Sequence, residues 1–158
     1  MGLLKGIDPL LTADLLYVLR SMGHGDKLVV CDCNFPAHEV ATHTTTGKCI
    51  LITVSLPEVL SAICSVLPLD YFVTSPAQYM APSPGVDLPP EGKEVHQQLM
   101  ASIDLHAKGV NIQPLERFAF YEEARKCFAV VQTLERRPYG NVILQKGVVG
   151  PDGRDLKP

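Results

Sequence analysis

Apolar residues recur along this chain with two different periods. Four compact runs are rich in Val, Ile, Leu and Cys: Lys27–Cys33, Lys48–Val54, Cys127–Thr133 and Asn141–Lys146. Short apolar runs bounded by polar residues and glycine are expected of buried strands. Between them, apolar positions fall at helical spacing. Leu15, Leu16, Val18 and Leu19 follow Thr12, a good N-cap, and predict a helix to about Ser21 that Gly23 ends. Ser55-Leu-Pro57-Glu58 predicts a helix start, with Pro in the first turn, and the helix stops before Pro68. Val95, Leu99 and Ile103 mark a helix over 94–107, and Phe118, Tyr121 and Arg125 one over 117–126. Residues 111–115 read as short and extended, and Tyr71–Thr74 as a candidate short strand. Residues 34–47 are polar, with a turn at Thr44–Gly47. The prolines and glycines of 82–92 predict a loop.

Strands alternating with helices imply an α/β fold, a three-layer α/β/α arrangement with a mixed, mostly parallel sheet covered by helices. The charged turn Glu135–Gly140 leaves a hairpin of the last two strands open. One domain over 1–149 is expected, followed by a loose polar tail over 150–158.

The 158 residues are 46% hydrophobic and 20% charged, as in ordinary globular proteins. A formal charge of −3 argues against a nucleic-acid partner, because phosphate contacts need clustered Lys and Arg. No apolar stretch of about 20 residues predicts a membrane span. Asp8, Pro9 and Asp14 interrupt any signal-peptide core. The five cysteines are odd in number and mostly lie in apolar runs, so reduced, buried thiols in a cytoplasmic protein are expected. Cys31-Asp-Cys33 has no second Cys/His pair at ligand spacing, so no metal site is expected.

The chemistry-bearing residues cluster around the first strand. His24 lies between Gly23 and Gly25 just before it, and Asp32, then Phe35-Pro-Ala-His38, follow it. A titratable group on each side of a strand, near loops, is where α/β folds place reactive groups. An imidazole holds or releases a proton near neutrality.

Met22-Gly-His-Gly-Asp26, Asp32 with Asn34-Phe-Pro-Ala-His38, Arg117-Phe-Ala-Phe-Tyr-Glu122, Tyr139-Gly-Asn141 and Lys146-Gly-Val148, together with Leu4-Lys-Gly-Ile7, stand in one order along the chain. Over about residues 3–149 this pattern resembles the fucose mutarotase and ribose pyranase family, the RbsD/FucU-like proteins, and its fucose branch most. The resemblance implies interconversion of the anomers of a free sugar, L-fucose, without a cofactor or metal. Ribose pyranase activity and non-catalytic monosaccharide binding are the alternatives. It also implies a homo-oligomer with sites near subunit contacts.

Carried over residue by residue, the resemblance makes His24 the proton donor and Tyr121 its acid–base partner. It makes Asp32, Asp70, Met80, Arg117, Tyr139, Gly140 and Asn141 sugar-binding, with Met80 against the sugar methyl group. Alternative roles stand beside these: Arg117 in an ion pair with Glu116 or Glu135, Tyr121 packed beside Phe118, and His38 at the site or an adjoining subunit. His43, His96 and His106 match nothing in the pattern and are expected on the surface. The segments 33–34, 41–44 and 133–138 and the tail depart from it.

Overall fold

The structure, a computed structural model, describes residues 2–158. Its centre is β1 (Lys27–Cys31), four of whose five residues are buried. On one side β1 pairs in parallel with β5 (Ala129–Thr133), which pairs in parallel with β2 (Cys49–Ile52). On the other side β1 pairs antiparallel with β6 (Val142–Gln145). Then follow β3 (Ala77–Ala81), antiparallel to β6, and β4 (Ile112–Glu116), parallel to β3. The six-stranded order is β2-β5-β1-β6-β3-β4, so β6 alone runs against the others. β1 lies between the last two strands, and the hairpin left open by their sequence does not form. β4 carries Pro114 on the outer edge, where a missing N–H costs no ladder bond.

Alternating side chains of the sheet feed two separate cores. Leu28 and Val30 join α1 (Ala13–Ser21), α3 (Leu56–Cys64) and α4 (Pro90–His106) on one face. Val29 and Cys31 join α2 (Ala37–Ala41) and α5 (Arg117–Ala124) on the other. The result is the three-layer α/β/α arrangement expected from the alternation of strands and helices.

Local chemistry accounts for the boundaries. The Thr12 hydroxyl accepts the Leu15 N–H at 3.3 Å and caps α1, and the Glu58 carboxylate accepts the Ser55 N–H at 3.1 Å at the start of α3. The short α2 falls in the segment read as polar. Five residues show too little periodicity, although Ala37, Val40 and Ala41 are buried. Residues 71–74 form no strand. The Asp70 carboxylate accepts the Phe72 N–H at 3.0 Å and turns the chain there, and the strand begins only at Ala77. The tail expected to be loose folds back: the Leu156 N–H donates to the Val148 carbonyl at 2.9 Å, and Val149 bridges Asp155.

The thiols divide by position. Cys31, Cys64 and Cys127 are buried, Cys49 is half-buried, and Cys33 is exposed just past the end of β1. All are free.

Candidate active site

Parallel strands in open sheets place ligands beyond their carboxyl ends, and a cleft opens at that edge of this sheet. β1 delivers Asp32, β3 ends on Met80 and Ala81, and β4 hands over to Arg117. Because β6 runs the other way, its start brings Tyr139 and Asn141 to the same edge. Asp32, Asn34, Phe35, Met80, Arg117, Tyr121, Pro138, Tyr139 and Asn141 line one cleft of about 290 Å³ there. That is the lower end of the range of small-molecule sites, roughly 300–1,000 Å³.

Asp32 is the centre of the cleft's hydrogen bonding. Its Oδ1 accepts the N–H groups of Asn34 and Phe35, both at 2.9 Å, and its Oδ2 accepts from Asn141 Nδ2 at 2.8 Å. Burial nevertheless dominates and pushes its carboxyl up to about 6, against the lowering effect of those bonds. A carboxylate with that value can take or give a proton near neutral pH.

Asn141 lines the cleft, but its amide is committed to its neighbours. Oδ1 accepts the Asp32 N–H at 3.0 Å, while Nδ2 donates to Asp32 and to Met80 Sδ at 3.6 Å. Tyr121 stacks on Phe35 with ring centroids 5.5 Å apart and an interplanar angle of 31°. The Arg117 guanidinium lies 5.7 Å from the Tyr121 ring centroid and 5.6 Å from that of Phe118. Among the described residues Arg117 makes no ion pair, and Glu135 is bound instead by Arg137 at 2.8 Å. Glu116 caps α5 through Phe118 N–H at 2.9 Å and so orients the turn that presents Arg117.

Tyr139 adopts φ of 65°, a left-handed backbone unusual for a tyrosine, which turns its ring into the cleft. His96, expected on the surface, explains how that turn is held. It is buried, its Nε2 donates to the Tyr139 carbonyl at 3.0 Å, and its ring meets Tyr79 edge-on at 4.6 Å. Burial pushes the His96 imidazole below its usual value, which keeps it neutral. It lies one helical turn from Leu99 on the buried stripe of α4, and that spacing could have marked it. Gly140 does not line the cleft. It is needed because a Cβ there would crowd the Glu135 side chain and the Arg137 carbonyl. His38, His43 and His106 are exposed.

The structure does not bring His24 to this cleft. His24 stands at the opposite edge of the sheet, where Lys27 pairs with Gln145. The five residues of β1, at about 3.3 Å each, put roughly 16 Å between the two ends. At that far edge His24 Nε2 meets Asp70 Oδ2 at 2.9 Å, and Gln145 Nε2 donates to the same oxygen at 3.1 Å. Asp70 is therefore also absent from the cleft and is only 1% exposed. The Lys146 ammonium donates to the carbonyls of Leu19 and Met22, at 2.8 and 2.6 Å, fastening the end of α1 beneath the His24 turn. His24 itself is exposed and borders an apolar hollow formed with Leu16, Leu19, Val66 and Val148.

Phe35 was missed as a cleft residue although it opens the Phe-Pro-Ala-His motif. Its aromatic neighbours, Phe120 at 6.0 Å and Tyr121, come from a distant helix that sequence spacing does not reveal.

The model of the RbsD / FucU transport protein family matches residues 5–149. A fucose mutarotase of Danio rerio is 42% identical over 161 residues, covering 96% of this chain and 98% of that protein. The crystal structure of protein Atu2016 is 43% identical, covers 95% of this chain and 99% of its own, and superposes with a TM-score of 0.86. The crystal structure of the fucose mutarotase of Streptococcus pneumoniae in complex with L-fucose is 36% identical. It covers 93% of this chain and all of that one, with a TM-score of 0.76.

Proposed function

This chain belongs to the RbsD/FucU family, and from that premise we propose that it is an L-fucose mutarotase, an isomerase that interconverts the α and β anomers of the free sugar. The observation that carries the reading is the single cleft in which Asp32, Arg117, Tyr121 and Tyr139 meet, where burial pushes the Asp32 carboxyl up to about 6. The 42% identity to a fucose mutarotase supports it along nearly the whole chain.

A pyranose is a cyclic hemiacetal. Its opening removes the proton from the anomeric hydroxyl, adds one to the ring oxygen and breaks the bond between C1 and that oxygen. The open aldehyde turns about its C1–C2 bond and closes on the other face, with both proton transfers reversed. The cycle needs one positioned base and one positioned acid, typically worth about 10²–10⁴-fold in rate. In the cleft Asp32 and Tyr121 face the sugar hydroxyls, Arg117 donates to its oxygens, and the Tyr139 ring covers an apolar face. Asn141 keeps Asp32 in place, and Met80 offers a thioether to the sugar methyl.

His24 joins this chemistry as the second proton-transfer group when another copy of the chain presents it. Within one chain β1 separates it from Tyr121, whereas its exposed ring and the apolar hollow beside it offer a surface for a homo-oligomeric contact. One domain over residues 1–149 carries the function. The free thiols fit a cytoplasmic protein.

Saturation-transfer NMR on L-fucose, D-ribose and D-galactose tests the assignment. Magnetisation passing between fucose anomers faster with the protein than without it supports the mutarotase. Exchange confined to ribose pyranose and furanose forms, or sugar binding without exchange, overturns it.

A further inference from the structure

We infer that α4, on the far side of the sheet from Tyr121, sets how tightly the cleft holds its sugar: His96 and Arg137 are positioning residues that tie the Tyr139 turn to α4 and so aim the Tyr139 ring. This deepens the proposed function and rests on the sugar contact given there to Tyr139. Val95, Leu99 and Ile103 place α4 in one core, whereas Phe35, Met80, Tyr121 and Tyr139 belong to the other. Neither His96 nor Arg137 stands in the motifs that carry the resemblance to the family.

A tyrosine at φ of 65° stays there only where its neighbours over-determine the backbone. The first tie is direct. The Tyr139 carbonyl accepts from the Asn141 N–H at 2.9 Å and from His96 Nε2 at 3.0 Å. A carbonyl only accepts, so the neutral His96 ring carries its proton on Nε2. The second tie lies two residues back. Arg137 donates through Nε and Nη2 to the Glu135 carboxylate, both at 2.8 Å, and its own N–H donates there at 3.0 Å. Glu135 is only 4% exposed, so the pair is a built support rather than a surface contact. The remaining arm of the guanidinium reaches α4, where Nη1 donates to Gln98 Oε1 at 2.9 Å and stands 3.4 Å from Glu94 Oε1. The backbone between the two ties runs against the helix. A Cβ on Gly92 would lie 3.3 Å from the Pro138 carbonyl, and one on Gly140 would lie 3.4 Å from Val95 Cγ2. Residues 137–140 are thus held at both ends by a helix that does not line the cleft.

His96→Leu removes the donor but keeps an apolar side chain in place, and His96→Gln keeps an N–H at the reach of Nε2. Arg137→Lys keeps the charge and loses the fork. The Kd of L-fucose, read by NMR titration, is expected to rise about tenfold in H96L and by less in H96Q, while kcat for anomer exchange stays within about twofold. R137K is expected to raise Kd with kcat likewise kept. In Tyr139→Ala the ring is gone, so adding H96L to it should leave Kd where Y139A alone puts it. Nitrogen-15 spectra of the sugar-free wild-type protein at about pH 8.5, well above the ordinary imidazole value of about 6.5, should show His96 protonated on Nε2. A wild-type His96 protonated on Nδ1 overturns the inference without any variant having to fold. So does an H96L protein whose loss lies in kcat, or a rise in Kd that persists in the Y139A background, the mark of a general loosening of the cleft. Tautomer and Kd need no catalysis. The expected values from a protein that does not speed anomer exchange would sink the proposed function and leave the role of α4 standing.

Discussion

Asn141 holds Asp32 from two directions at once. It accepts the Asp32 backbone N–H at 3.0 Å and donates to the Asp32 carboxylate at 2.8 Å. One side chain thereby ties the exit of β1 to the entry of β6 and fixes the group at the centre of the cleft. Asn141→Ala removes a donor from a buried carboxylate and leaves a buried N–H without its partner. A loss on the order of 1–3 kcal/mol in urea unfolding is expected, together with loss of anomer exchange. A variant as stable and as active as the parent would show that this pairing is not needed.

Asp32 also sets a pH dependence whose sign is fixed by its raised value. The folded protein keeps the Asp32 proton up to about 6, whereas the unfolded chain loses it near 3.8. The contribution of Asp32 to stability is therefore full below about pH 3.8 and is lost as pH rises through about 6. Two units correspond to about 3 kcal/mol as an upper figure. His96 acts in the opposite sense, because its depressed value makes its contribution present above about 6.5 and lost as pH falls. That contribution is shared by wild type and Asp32→Asn and cancels in their difference. The stability of D32N relative to wild type should rise between pH 4 and 7, and a flat difference would contradict the raised value.

Gly147 allows β6 to pass against the segment that carries Asp70. A Cβ at Gly147 would strike the Leu69 carbonyl and the Asp70 backbone. Gly147→Ala should cost about 1–3 kcal/mol in thermal or chemical unfolding through overpacking. It should also shift the His24 resonances, because the displaced backbone holds their partner. An unchanged midpoint and unchanged resonances would mean that the contact relaxes freely.

The separation of His24 from Tyr121 along β1 predicts complementation between copies. His24→Ala and Tyr121→Phe should each be nearly inactive. If a site takes His24 from one chain and Tyr121 from another, unfolding the two variants together and refolding them as a mixture should restore exchange, because some mixed sites carry both intact groups. Mixtures that stay as inactive as their components would contradict a shared site.

The sequence made the strands, the long helices and the cleft end of the sheet legible, because compact apolar runs and helical stripes report burial directly. Asp32, Tyr121, Arg117, Tyr139 and Asn141, far apart in sequence, line one cleft. What escaped depends on distance through space. Nothing local places Asp70 beneath His24, 46 positions away, or seats the His96 ring under the Tyr139 turn. The five-residue α2 was too short to show a period, and the hairpin failed because β1 claimed the place between β5 and β6. His24 and Tyr121 were joined by motif alone, and the run of β1 keeps them apart.

Two-dimensional exchange NMR on L-fucose, run side by side with the parent protein and Tyr121→Phe, tests the account most directly. The parent should give cross-peaks between the α and β anomeric protons that buffer does not, and Y121F, equally folded, should reduce the exchange rate about 10²-fold. A parent protein that leaves the rate at the buffer value, or a Y121F protein that exchanges the anomers as fast as the parent, would contradict acid–base ring opening in this cleft.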